Sequence, residues 1–223
     1  RNGYVMPELA ALYEHDDTIL AKRIKKVFKA CGIETMSKVE ARKKAAVMPF
    51  DDVRGRRAVM LAASQADYMA AVSGRPEFAR DCRSMLGCGT PYETTAGMPA
   101  GTDFAAAQRA LREAGTDLAR PVVILHPADA PGIAALGLIT QDLLTRLGFR
   151  VDLQTMDLNT FFGRRARPEG WNIIQITNTV PDMQTPLQNA FLNGAGQTGG
   201  FVGWPEGAEA EAARAAFAAA TDD

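Results

Sequence analysis

Apolar positions recur at intervals of three and four through the first part of the chain, then give way to short β-branched runs in the second. Ile19, Leu20, Ile24, Val27 and Phe28 line one side of a helix that Asp16 or Asp17 can cap, with lysines on the other side and Gly32 as the stop. A second helical stretch, SKVEARKKAAV, follows GIET, so residues 16–47 read as a helical hairpin or as two helices flanking a short extended link. Nothing in it specifies a recognition helix. In PFDDVRGRRAVMLAASQADYMAAVSG, Asp51 or Asp52 offers a cap, Val53, Ala58, Leu61 and Ala62 mark a buried face, the helix breaks near Ser64, and a second one ends at Gly74.

Residues 74–101, rich in Gly, Pro, Thr and Cys, read as an irregular loop region. Helix resumes where Thr102 can cap DFAAAQRALREAG before Gly115. The period then changes. PVVILH is a strand, PGIAALGLITQDLLTRLG a helix with Pro131 in its first turn and Gly148 at its end, and FRVDLQTM a strand turning Phe149, Val151 and Leu153 inward. Strand, helix and strand at this spacing make a βαβ unit with parallel strands and a right-handed crossover. DLNTFFGRRA adds a short helix, WNIIQIT a third strand, and PLQNAFLN and PEGAEAEAARAAFAAATDD the last helices. The expected fold class is α/β, a βαβ-containing sheet flanked by helices. Ligands of open α/β sheets bind beyond the carboxyl ends of the strands, which singles out the loops HPADAPG, DLNT and NTVPDMQTP.

Composition narrows the class. With 47% hydrophobic and 23% charged residues, 20 Gly and 12 Pro, the 223 residues are ordinary globular material. The longest apolar stretch, GIAALGLIT, is too short for a bilayer span and is broken by Gly132 and Gly137, so no membrane insertion is expected. RNGYVMPELA has neither the basic start nor the apolar centre of a signal peptide, and the chain is expected to begin partway through a longer protein. Charge is uneven: residues 1–50 hold 10 basic and 6 acidic side chains against 15 and 20 in the rest, and all seven lysines fall between Lys22 and Lys44. We place a seam near residues 45–49, with a basic helical segment at 1–47 and the remainder at 48–223. The basic segment fits either a solvated helix surface or an anionic partner such as nucleic acid.

Most catalytic chemistry is excluded on pattern. Gly194, Gly196 and Gly199 spell GxGxxG, but they follow no strand and open no helix, so dinucleotide binding is not expected. His15 and His126 are the only histidines, no GxSxG nucleophile motif is present, and Asp129, Asp142, Asp152 and Asp157 form no acid and base pair. No catalytic residue, cofactor or metal site is expected. Cys31, Cys82 and Cys88 lack zinc spacing; Cys31, beside Gly32, suits a packed apolar role. In DCRSMLGCGTPY the glycines and Pro91 permit a turn that could join Cys82 to Cys88, and two reduced loop thiols are the alternative. Asp182 follows the third strand closely, between Pro181 and Pro186. A partly shielded carboxylate there could hold an ammonium group, or it could simply favour a proline-containing turn.

Several segments together resemble the extracytoplasmic solute-binding proteins of ABC importers, in the peptide, dipeptide and nickel class (family 5). PFDDVRGRRAVMLAA resembles that family's Pro-Phe-Asp stretch leading into a helix with two arginines, here Arg54 and Arg56. DFAAAQRALREAG, then GFRVDLQTMDLNTFFGRRA and GWNIIQIT, resemble the order around the second lobe's βαβ unit. CRSMLGCGTPYETTAGM is similar to a subgroup with paired loop cysteines, which implies the Cys82–Cys88 disulfide. TNTVPDMQTP aligns with the post-strand loop where an Asp commonly receives a peptide's α-ammonium, and by position that residue is Asp182.

The resemblance implies a periplasmic-binding-protein-like lobe over residues 48–223, truncated at its C-terminus. It also implies a partial substrate-binding component of an ABC transporter for peptides or related amine-bearing solutes. Asp182, Asn178, Thr179, His126 and Tyr92 would be ligand-binding, with a transporter permease as partner, no nucleic acid, and a periplasmic or extracytoplasmic location. Arg164, Arg165 and Arg167 could meet an acidic ligand group, with exposed helix arginines as the ordinary reading. Thr179 stands where the family often has an aromatic residue, Gly55 interrupts a helix usually free of glycine, and full members are about twice as long. The alternative expectation is a ligand-sensing transcriptional regulator that uses the basic segment on nucleic acid.

Overall fold

A computed structural model describes residue 50, residues 52–75, residue 77 and residues 80–220 of the chain. The basic segment 1–47, with its two expected helices, His15 and Cys31, lies outside the described residues. The described residues form two compact units, one from residues 50–82 and 99–177 and the other from 83–98 and 178–220.

The first unit holds the sheet. Strand β1 (Val122–Pro127) lies between β2 (Val151–Met156) and β3 (Ile173–Ile174), all parallel, with Val122 abreast of Val151 and Ile124 abreast of Ile173. A central parallel strand is covered on both faces, which is why VVIL is continuously apolar. One face carries Val122 and Ile124 into a core completed by Leu143, Leu144 and Leu147 of α4 (Pro131–Leu147) and by Phe149. Each buried leucine there contributes about 1.5–3 kcal/mol. Ala58 and Ala62 of α1 (Val53–Ala62) meet Ala107 and Leu111 of α3 (Phe104–Ala114) in the same core, small side chains letting the helices approach closely. The other face of β1 is covered by α5 (Leu158–Arg165), whose Phe161 is fully buried.

Local chemistry sets the helix ends. Asp52 caps α1 by accepting from the Arg54 N–H at 2.8 Å, and Ser64 caps α2 (Gln65–Ser73), which ends at Gly74 with φ +59. Helix α4 starts at Pro131 and stops at Gly148, as its sequence predicts. The cap of α3 differs from expectation: Asp103, not Thr102, accepts from the Ala106 N–H at 2.8 Å. Thr102 instead donates to the Ala63 carbonyl, because the carboxylate one residue later is the stronger acceptor for the first turn. Strand β3 is only two residues long. Asn172 satisfies β1 just before it, its backbone N–H donating to the Val123 carbonyl and its Oδ1 accepting from the Val123 N–H at 2.8 Å.

The second unit is largely irregular. The helix expected over PLQNAFLN is only a 3₁₀ turn at Ala190–Leu192. Asn189 explains the shortfall: fully buried, it donates from Nδ2 to the Met85 carbonyl at 2.7 Å and accepts at Oδ1 from the Phe191 N–H, diverting the backbone from an α-helical course. Helix α6 (Ala208–Ala218) fastens to the loops through Glu211, which accepts from the Gly194 N–H, and Arg214, which donates to Glu211 and to the Pro186 carbonyl. The GxGxxG segment forms a 3₁₀ turn at Gly196–Thr198 beside an antiparallel bridge between Ala195 and Glu206. It is a turn built on glycine, since a Cβ at Gly200 would lie 2.6 Å from the Gly196 carbonyl oxygen.

Candidate functional site

The candidate ligand-binding residues divide between the two units. Thr179 and Asp182 belong to the second, where a short 3₁₀ turn at Val180–Asp182 draws them together. Asp182 Oδ2 accepts from the Thr179 hydroxyl at 2.6 Å and from the Thr179 N–H at 3.2 Å, a reciprocal cap that fixes the carboxylate on the turn. The two hydrogen bonds, the hydroxyl's first and the backbone's second, stabilise the anion and lower its pKa below the ordinary aspartate value. The side chain is exposed, not partly shielded as the sequence suggested, because a three-residue turn carries nothing over it. Its Oδ1 makes no hydrogen bond among the described residues. A pinned anion with one free oxygen can receive an N–H donor without reorganising. Asn178 is exposed next to this turn, and Tyr92 is half-buried with its ring edge-on to Phe217 at 5.2 Å.

His126 belongs to the first unit, at the carboxyl end of β1, on the face that packs against α4. Only 5% exposed, it has Nδ1 buried without a hydrogen-bond partner, and burial lowers its pKa so that the ring is neutral. Gly137 of α4 is what admits it: a Cβ built there would lie 2.5 Å from Nδ1 and 3.4 Å from both Cγ and Cε1. Sequence reasoning missed Gln175. It directly follows β3, whose last pair sets Ile174 abreast of Leu125, one residue before His126. Gln175 is 9% exposed and its Oε1 is buried without a partner. The available signal was a polar residue on the inward phase of NIIQIT.

Two of the three arginines Arg164, Arg165 and Arg167 are engaged within the first unit. Arg164 donates to Gln154 Oε1 and to the Gly170 carbonyl, and Arg165 stacks over Phe162 at 4.5 Å. A cavity of about 100 Å³ in the same unit is lined by Tyr68, Asp67, Thr102, Phe104, Asp142 and Arg146, among others. That is below the size of pockets that enclose organic ligands. Cys82 and Cys88 are joined by a disulfide. Among the described residues, no His, Cys, Asp and Glu cluster could hold a metal ion, and no helix is long and apolar enough to cross a membrane.

With these positions fixed, the fold compares with proteins of known structure. It matches a substrate binding protein of Microbacterium hydrocarbonoxydans, complexed with 4-hydroxybenzoate hydrazide, with a TM-score of 0.56 at 18% identity, over 81% of this chain and 36% of that one. It matches AppA of Clostridium difficile with a TM-score of 0.51 at 16% identity, over 64% of this chain and 29% of that one. The architecture is thus α/β and periplasmic-binding-protein-like, a parallel sheet flanked by helices.

In sequence, the chain is 25% identical over 175 residues, 75% of its length, to the "Probable peptide ABC transporter periplasmic-binding protein y4tO" of Sinorhizobium fredii. The match covers 33% of that relative, so the chain spans about a third of it. No protein-family model matches.

Proposed function

We propose that this chain is part of the substrate-binding component of an ABC importer, working outside the cytoplasm and delivering peptides or related amine-bearing solutes to a transporter permease. The observation that carries the reading is the similarity to y4tO over three quarters of the chain, supported by a fold of the same kind and by a disulfide, which suits an oxidising compartment. In this reading the chain binds and does not catalyse. Asp182 receives the solute's ammonium, its charge held ready by Thr179, while Asn178, Thr179, His126 and Tyr92 line the binding surface, and residues 48–223 act as one lobe of the component.

Calorimetry with a peptide pool tests the anchor. Asp182→Asn keeps an acceptor for Thr179 and removes the charge, so binding of free-amine peptides weakens while the turn survives. N-acetylated peptides bind equally to the native chain and the variant. Equal binding of free-amine peptides by both proteins would remove Asp182 from the site.

A further inference from the structure

Two buried, unpartnered polar atoms at the end of one sheet call for an explanation, because such groups are rare in folded proteins and costly to leave unmet. His126 of β1 and Gln175, the residue immediately after β3, are each more than nine-tenths buried, and Thr155 of β2 is exposed abreast of His126 in the same row. Neither bonds the other in the structure, although imidazole and carboxamide are natural partners.

The packing of α4 decides what the imidazole offers. A point 2.5 Å from Nδ1 and 3.4 Å from both Cγ and Cε1 lies near the outward axis of Nδ1, since a point above the ring face would be closer to both carbons, so the backbone of α4 at Gly137 blocks that nitrogen. A proton on Nδ1 would be a buried donor facing a helix backbone with nothing to accept it. A lone pair there costs less. The neutral ring therefore carries its proton on Nε2, which points away from α4, and of the two ring nitrogens only Nδ1 is buried without a partner. His126 thus presents a donor, and Gln175 Oε1 presents an acceptor just past the end of the neighbouring strand.

We propose that His126 and Gln175 form a neutral donor and acceptor pair that binds a primary carboxamide of the ligand, whose carbonyl and syn N–H share one edge, whereas a trans peptide bond turns the two to opposite sides. The ligand's carbonyl accepts from Nε2–H, and its N–H donates to Oε1. Burial favours a neutral group in this place over an ion, for the same reason that it keeps the imidazole uncharged. This deepens the solute-binding reading and rests on it, yet the two fail separately: a peptide bearing a primary amide that binds by calorimetry without perturbing His126 removes the pair and leaves the reading in place.

The test uses the complete 223-residue chain labelled with ¹⁵N, acetamide as the probe, and a His15→Asn variant to assign the imidazole signals. The expected spectrum shows an Nε2–H tautomer at His126. Acetamide shifts Nε2 and the Gln175 side-chain amide together, with a midpoint on the order of 10 mM, as suits a four-atom fragment. N,N-dimethylacetamide, which keeps the carbonyl and lacks N–H, binds at least about fivefold more weakly, and Gln175→Leu weakens acetamide about tenfold with the tautomer unchanged. An Nδ1–H tautomer, no shift at ten times the expected midpoint, or equal binding of the two amides would each overturn the proposal. The comparison of the two amides on the native chain stands even where the Gln175 variant does not fold.

Discussion

Gly137→Ala sets a helix preference against a tertiary contact whose geometry is known. Alanine is about 1 kcal/mol better than glycine in a helix interior, so the substitution should stabilise α4 if nothing lies nearby. Something does: the new Cβ would fall 2.5 Å from His126 Nδ1, about 1 Å inside an ordinary contact. Neither side yields easily. His126 is held in the buried end of β1, and α4 is fixed by Leu143, Leu144 and Leu147 in the core. Overpacking of this kind costs about 1–3 kcal/mol. Set against the propensity gain, the net is a loss of about 1 kcal/mol, seen as a fall in melting temperature of about 2–4 °C for a chain of this size.

The sign reverses once the ring is removed. In a His126→Ala background Gly137→Ala should raise stability by about 1 kcal/mol, so a double-mutant cycle in urea should show a coupling of roughly 1–3 kcal/mol. A native-background Gly137→Ala protein that melts higher than the parent, or additive effects across the cycle, would refute the packing that orients the imidazole.

Other perturbations test separate parts of the molecule. Asn189→Leu leaves the Met85 carbonyl and the Phe191 N–H without their partner, and should cost about 2–3 kcal/mol in denaturant unfolding; an unchanged midpoint would show that the buried amide is dispensable. Since burial lowers the folded-state pKa of His126 below its ordinary 6.5, the unfolded chain binds more protons, and stability falls as pH drops below about 6.5. The slope is at most about 1.4 kcal/mol per pH unit. His126→Phe should flatten that window and leave the losses below about pH 4.5 that come from Asp52, Asp157, Asp182 and Glu211; a slope above pH 5 that survives the substitution assigns it to another group. Replacing Cys82 and Cys88 with serine opens a short loop and should cost about 2 kcal/mol on the chain-entropy account, read from thermal melts of the two proteins without reductant.

What the sequence disclosed and what it hid follow from the range of the interactions involved. Pro131 and Gly148 bracket α4 by backbone geometry alone, and the unbroken VVIL run announces a strand covered on both faces, so the βαβ unit could be read without tertiary knowledge. The short β3 and the lost helix at PLQNAFLN could not. Asn172 takes its place beside β1 from 49 residues away, and Asn189 reaches Met85 across 104 residues, contacts that no local propensity encodes. The cap at Asp103 turned on two adjacent acceptors, of which the carboxylate is the stronger, so it was legible in the sequence although Thr102 was the expected cap. Thr179 and Asp182 stand at capping-box spacing, so their mutual bonds were visible in principle. Gln175 was concealed because a two-residue strand gives too little alternation to show that its phase runs inward.

On the proposed reading, the candidate residues divide the work of recognition by their surroundings. Asp182 is exposed, so its attraction for an ammonium is screened by water and salt and discriminates weakly among cations. Such a charge serves capture and steering better than selection. His126 and Gln175 carry no charge and are buried, which reverses the balance: they attract little from a distance, yet a ligand that does not donate to Gln175 Oε1 leaves that buried oxygen unmet. Selectivity for carboxamides should therefore persist at ionic strengths that suppress the contribution of Asp182, because raising salt acts on the anion and scarcely on the neutral pair.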